Sequence, residues 1–338
     1  MKQKTLLDEE NRLELLSQLG DPLEILNRVI KWEKFRSVLN QGSRKEDTGK
    51  GGRPSYDVVM MFKILVLQRL YNLSDDQTEY QINDRMSFMR FLGINLCEKV
   101  PDAKTIWKFK NDLAETVDKL FCMFDEHLEN KGLISHKGTI VDATFVDAPR
   151  QRNSRDENKK IKNGVIPEGW EKPENKSKLA QKDIDADWTK KNGERHFGYK
   201  DHVKCDADSK LITNYSVTSA SVHDSQRCLV FIGQEDEVLY ADSAYSGKPI
   251  ALALPENCKN QICEKGYRNS PLTSEQKMNN RRKSRIRCRI EQIFGFMTGA
   301  MHGITIRSIG ITRAWMNIGI TNLVYNFCRY SYLKRASA

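Results

Sequence analysis

Over roughly the first 130 residues, apolar side chains recur with the spacing of helices. From Asp57 to Tyr71 they stand at 58, 59, 61, 62, 65, 66 and 70, a stripe that predicts an amphipathic helix. Ser74, followed by Asp75 and Asp76, predicts a second helix over DDQTEYQINDRMSFMRFL, with Gly93 as its stop. Pro101-Asp102 opens a third, which runs through WKFKNDLAETVDKLFCMFDEHLENKG to Gly132. Successive short helices predict a compact helical domain over residues 1–132. The polar, glycine-rich stretch Asn40–Gly52 reads as a mobile loop.

The pattern changes after Gly138. TIVDATFV is short and β-branched, which predicts a buried strand. Residues from about 149 to 195 are strongly polar, and read either as a disordered insertion or as a small appended subdomain. Strand signals return in HFGYKDHVKCD and KLITNYSVTS, joined by a turn at Ala207-Asp208-Ser209. A helix from about Ser225 to Gly233, the strand EVLYAD, a strand near NQICEK and a long helix from Arg285 to Met301 follow. This alternation predicts an α/β core over 136–310 built on one sheet, with a last helix over 311–338 packing on it.

Composition narrows the partners. Lysine and arginine number 55 against 45 acids, so the net charge is 55 − 45 = +10. A basic excess of this size points to nucleic acid and says little about fold. No window offers the ~18 consecutive apolar residues of a spanning helix, and the longest apolar runs are broken by Lys63, Gln68 and Arg69. The N-terminus lacks an apolar signal core, so a cytoplasmic protein with no membrane partner is expected. The eight cysteines contain no C-x-x-C pair and read as reduced thiols. Gly42-SRKEDT-Gly49-Lys50-Gly51 has six residues between its glycines and no Ser or Thr after the lysine, which argues against a phosphate loop and a nucleotide cofactor.

What remains is a set of acids. Asp142 interrupts the apolar run Ile140–Thr144, where an unpaired carboxylate costs several kcal/mol. Asp242 follows Val238-Leu239-Tyr240-Ala241 at a strand's C-terminal end, where functional groups collect in α/β sheets. Each alone reads equally as a turn cap or an ion-paired residue. Glu291 lies one residue around from the core stripe Ile286, Ile290, Ile293 and Met297, and shares a face with Arg287. Brought together, the three would line an oxygen pocket for two Mg²⁺ or Mn²⁺ ions suited to in-line phosphoryl transfer. The acids are 100 and 49 residues apart (242 − 142, 291 − 242), so only a fold can join them. Before Glu291 run Arg281, Arg282, Lys283, Arg285, Arg287 and Arg289, six cations in nine residues. They read as a solvated basic face or as phosphate contacts.

Several blocks resemble a known family. Gly51-Gly52-Arg53-Pro54-Ser55-Tyr56-Asp57, Leu73-Ser74-Asp75, Phe91-Leu92-Gly93 and Val100-Pro101-Asp102 are similar to the helical N-terminal region of bacterial transposases of the insertion-sequence-five family. Val141-Asp142-Ala143, Tyr240-Ala241-Asp242-Ser243-Ala244-Tyr245 and Arg287-Cys288-Arg289-Ile290-Glu291-Gln292-Ile293-Phe294-Gly295 resemble its Asp, Asp and Glu blocks. The likeness runs from about residue 50 to 330. It implies a ribonuclease-H-like core in which Asp142, Asp242 and Glu291 bind two Mg²⁺ ions, with Mn²⁺ as substitute. It also implies cleavage of double-stranded DNA at element ends, transfer of the freed strand to target DNA, and a homodimer on DNA. Where the family often has Phe-Arg, this chain has Phe109-Lys110, which keeps the charge and loses the bidentate fork.

Arg53, Lys104, Lys108, Lys110, Lys200, Arg281, Arg282, Arg285, Arg287 and Arg289 are the expected DNA contacts. His223 is a candidate phosphate contact. Asp224 is either an auxiliary acid or the N-cap of SQRCLVFIG. Trp107, Trp188 and Trp315 either pack or stack bases, with core packing expected for Trp107 and Trp315. The rival readings are a ribonuclease-H-like endonuclease without strand transfer and a non-catalytic DNA-binding relic.

Overall fold

The computed structural model describes residues 8–42, 55–191 and 193–336. Arg53 and most of the stretch read as a mobile loop lie outside them. Described residues up to Cys122, with those from Leu323 onward, form one compact unit; Met123–Asn322 form the other. The sequence reading divides the chain at 132 and keeps the last helix on the core. The observed division falls inside the helix Val117–Glu129 and inside the helix Ile311–Ala336.

The first unit is helical, and its starts are set by local side chains. Asp57 accepts from the amides of Val59 and Met60, each at 3.0 Å. Ser74 and Gln77 satisfy each other's backbone amides in a capping box, both at 3.1 Å. Asp102 accepts from the amide of Thr105 at 2.7 Å. Gly93, at φ 75°, ends the helix Met86–Leu92 in the left-handed region. The helix Val58–Leu70 departs from its predicted stripe: Ile64, Leu67 and Gln68 are buried too, so it runs through the middle of the unit. Trp32 meets Phe62, Phe91 and Phe327 edge-on, with centroids 6.2, 5.5 and 5.4 Å away. Two helices read as continuous are broken, one at Arg85, which is extended, and one between Asp112 and Val117.

The second unit holds a six-stranded mixed sheet. Its strands are β1 (Thr139–Asp147), β2 (Asp187–Lys191), β3 (Glu194–Asp206), β4 (Ile212–Ser219), β5 (Val238–Tyr240) and β6 (Lys259–Asn260). Central β1 pairs antiparallel with β3 and parallel with β5, and β5 pairs parallel with β6. The far edge of β3 is shared: β2 pairs with it up to Gly198 and β4 from Tyr199 onward. Gly198 has φ 146°, and a Cβ there would meet the Val146 carbonyl at 2.3 Å, so the changeover requires glycine. The β3–β4 turn is closed by Asp206, whose Oδ1 accepts from the amides of Asp208 and Ser209 at 3.0 and 2.7 Å. Under one face lie Val141, Leu239, Ala241, Phe231, Tyr245, Ile250 and Ile262. The expected strand near NQICEK shrinks to Lys259–Asn260.

The polar insertion is structured. It forms the helices Arg155–Lys162 and Lys176–Ala180 and then β2. Trp170 is 2% exposed, and its Nε1 donates to Glu157 at 2.9 Å. Asp183 fastens the segment to the core, accepting from Tyr199 Oη at 2.7 Å. Asp185 accepts from the amide of Ile311 at 2.8 Å.

Candidate active site

Parallel pairing of β1 with β5 matches Ile140 to Tyr240. Asp142 and Asp242 each stand two residues beyond that pair, and the two-residue period of a strand puts both on one side. Asp142 Oδ1 accepts from the amide of Ala143 at 2.8 Å, and Asp242 Oδ1 from the amide of Ala244 at 2.7 Å. These bonds fix the two carboxylates to backbone.

The predicted helix from Arg285 to Met301 divides at Cys288 into Ser274–Arg287 and Arg289–Thr298. Ile290, Ile293 and Met297 are buried, as the stripe requires. Arg287 points at the sheet: Nη1 donates to Asp142 Oδ2 at 3.0 Å and Nη2 to Glu291 Oε1 at 2.7 Å. One guanidinium thereby joins the strand acid to the helix acid. Burial pushes the Asp142 carboxyl up to about 6; the Ala143 amide opposes this, the Asp242 charge adds to it, and Arg287 opposes it again.

This donor set suits a hard divalent cation. It offers carboxylate oxygens only, two of them close enough to repel, with a cation already drawn between two of the three. Among the described residues it is a separate group, His136, Glu235 and Asp236, whose ligand atoms all lie within 4.8 Å of one another; those of Asp142, Asp242 and Glu291 do not gather so closely. The separate group adjoins the start of β1, and Asp236 is already bonded to Thr139 Oγ1 at 2.6 Å and Lys204 Nζ at 2.9 Å. The sequence reading did not single it out.

Other expected site residues fall differently. Lys200 is turned inward, donating to Asp224 at 2.8 Å and to the Val222 carbonyl at 2.6 Å. Asp224 makes no side-chain cap bond, because Lys200 holds it. His223 is exposed and pairs with Ser225 Oγ at 2.7 Å. Lys110 reaches back to Asp75 at 2.5 Å, and Arg289 is held by Asp208 at 3.0 Å. Lys110, Lys200, Arg287 and Arg289 are thus engaged with carboxylates, while Arg281, Arg282 and Arg285 are exposed. Lys104 and Lys108 are exposed on the helix Ala103–Asp112. Trp107 of that helix is 49% exposed, against the expectation that it packs in a core. Trp315 is half-buried beside Tyr215, with centroids 5.9 Å apart.

Tyr245, part of the second Asp block but given no role there by the sequence reading, lies close to the candidate acids. It is 1% exposed, and its hydroxyl has no hydrogen-bond partner among the described residues. Burial and then the charges of Asp142, Asp224 and Asp242 push its pKa up, so the hydroxyl stays protonated beside three acids. Its sequence signal is its place three residues after Asp242, inside the block that carries the resemblance.

Two family models match this chain. Residues 10–112 match "Transposase domain (DUF772)". Residues 134–327 match "Transposase DDE domain", more than half of the sequence. The chain belongs to the DDE-domain transposases. One solved structure with some likeness to this chain is that of the piggyBac transposase synaptic complex with hairpin DNA, at 13% identity and a TM-score of 0.43 over 93% of this chain and 73% of that one. The family assignment rests on the two matched models. This transposase contains, among the described residues, no helix long and apolar enough to cross a membrane.

Proposed function

We propose that this transposase is of the insertion-sequence-five type, with a ribonuclease-H-like core in which Asp142, Asp242 and Glu291 hold two Mg²⁺ ions, or Mn²⁺ in their place. The bridge that Arg287 makes from Asp142 to Glu291, with the Asp242 charge near enough to raise the Asp142 carboxyl, carries the reading. A sheet with β1 at its centre and acids near the β1–β5 seam supports it. Bound ions supply Lewis-acid stabilisation of phosphoryl charge and lower the pKa of a nucleophilic water.

The chain's own groups prepare that chemistry. The amides of Ala143 and Ala244 orient the two aspartates, so little reorganisation is needed at the moment of reaction. Arg287 uses both ends of its fork on the acids, Nη1 on Asp142 and Nη2 on Glu291, and so holds the helix acid against the strand acid. The substrate is double-stranded DNA, cut at element ends and joined to target DNA without a nucleotide cofactor. The helical N-terminal region, residues 1–132, recognises the ends through Lys104 and Lys108, with Trp107 exposed between them. Pairing two ends calls for a homodimer on DNA, acting in the cytoplasm at the nucleoid.

The test is Mn²⁺-dependent cleavage and joining of a labelled duplex that carries the flanking element end. Wild type should give joined product, and Glu291→Gln should give neither cut nor joined product while binding DNA as before. Cleavage without joining in wild type would replace the reading with a nuclease. Binding without either would remove the catalytic assignment.

A further inference from the structure

The insertion carries a groove of its own. The helix Arg155–Lys162 lies beside β2 and the start of β3, and together they border a hollow of about 550 Å³. Arg155, Lys159 and Lys162 line it from the helix at i, i+4 and i+7, the spacing of one face. Lys190 and Arg195 line it from the hairpin, and Trp188 contributes its ring. One acid, Asp187, borders it, and its Oδ1 accepts from the amide of Trp188 at 2.7 Å.

The ion pairs around this helix are distributed unevenly. Lys160, outside the groove, is paired with Glu168 at 3.2 Å, and Lys178 with Glu157 at 3.4 Å. Among the described residues, none of the five groove cations has an acidic partner. All five are exposed and share one hollow. Like charges gathered this way repel one another, and a polyanion seated between them would relieve the repulsion. Trp188 is half-buried, with Phe197 behind it at a centroid distance of 5.1 Å and the Arg150 guanidinium 5.8 Å from its ring. A cationic groove with a fixed aromatic ring suits an unpaired nucleic-acid strand: the cations follow the phosphates and the ring takes a base face.

The groove is separate from the acids. Asp142 pairs with Val203 on β3, and Arg195 lies eight residues before it (203 − 195), up to about 26 Å at strand rise. We propose that the groove between the helix Arg155–Lys162 and β2 is a binding site for an unpaired DNA strand, with phosphates on Lys159, Lys162 and their neighbours and a base against Trp188. The inference rests on the transposase reading and names a second place where that substrate is held.

The experiment measures binding of a fluorescent single-stranded oligonucleotide, and of a matched duplex, to the full chain over a range of salt. It compares wild type, Lys159→Glu/Lys162→Glu and Trp188→Ala, each checked for native folding by thermal melting. The double charge reversal should weaken single-strand binding tenfold or more and flatten the salt slope by at least about 1.4, at ~0.7 per lost phosphate contact. Trp188→Ala should weaken it about tenfold with an unchanged slope. Single-strand affinity unchanged in the charge-reversed protein, whose altered side chains are exposed, overturns the proposal. So does an equal loss on duplex, which would make the groove a general backbone contact. If the groove variants behave as expected but wild type neither cuts nor joins, the groove stands and the catalytic reading fails. If wild type cuts and joins while the groove variants bind normally, the reverse holds.

Discussion

Asp201 on β3 is fully buried, and Asn322 donates to its Oδ1 at 3.1 Å. Asp201 Oδ2 and Asn322 Oδ1 are both buried without hydrogen-bond partners among the described residues. A proton on Asp201 turns one of these orphan acceptors into a donor, which is what the other lacks. Burial pushes the carboxyl up to about 8, so the proton is held at neutral pH. Its folded pKa lies above the ordinary carboxylate value near 4. The stability it gives is therefore full below about pH 4 and lost as pH rises through about 8. Asp201→Asn keeps a donor and an acceptor there without titrating, so its melting temperature should gain steadily on wild type from about pH 5 to about pH 8 and then level off. A constant difference across that range would mean that the carboxyl is ionised throughout. Asp142 follows the same sign, with its carboxyl at about 6, but its proton also competes with a cation for the site. Mn²⁺ affinity measured by calorimetry should fall about tenfold per pH unit below pH 6, and Asp142→Asn should abolish the dependence.

Helix ends in the first unit are fixed by caps a few residues long, which is why they could be read from sequence. Ser74→Ala removes a capping-box acceptor and should cost about 1 kcal/mol in urea unfolding, while Gln77→Ala should cost less because it removes only the return bond. Asp102 and Gly93 were legible for the same reason. The breaks at Arg85 and Cys288 were not, because no glycine or proline marks them and the packing on each side decides them. Lys110 shows the limit most directly: its partner Asp75 lies 35 residues away, so spacing alone left it looking like a free cation. The acids at 142, 242 and 291 could be picked out as candidates because two interrupt or end apolar strands. The nearness of Asp142 to Asp242 depends on the parallel register of β1 and β5, and the link from Asp142 to Glu291 on Arg287 reaching back 145 residues, which no local pattern records. The insertion was ambiguous because one buried tryptophan and one short strand among dozens of polar residues leave almost no periodicity.

Across the whole chain the net charge is +10, but the cations behind it are not equivalent. Those at 110, 200, 287 and 289 are held by carboxylates, so removing one exposes an unpaired acid and acts on stability as well as on charge. Arg281, Arg282 and Arg285 stand exposed on the helix Ser274–Arg287, whose last residue reaches Asp142. A duplex whose cut phosphate lies at the acids must pass near this helix, and each arginine that meets a phosphate releases counterions on binding. Replacing all three by alanine should lower the slope of log affinity against log salt by about 2.7, three contacts at ~0.9 each on duplex DNA. Affinities of variant and wild type should then converge as salt rises, with melting temperature unchanged because no acid loses a partner. A single alanine at Arg287 should behave differently, lowering melting temperature and cleavage together. If the triple variant keeps the wild-type slope, this helix stands clear of the DNA and the excess charge must act elsewhere, with the cations of the insertion as the next to be replaced.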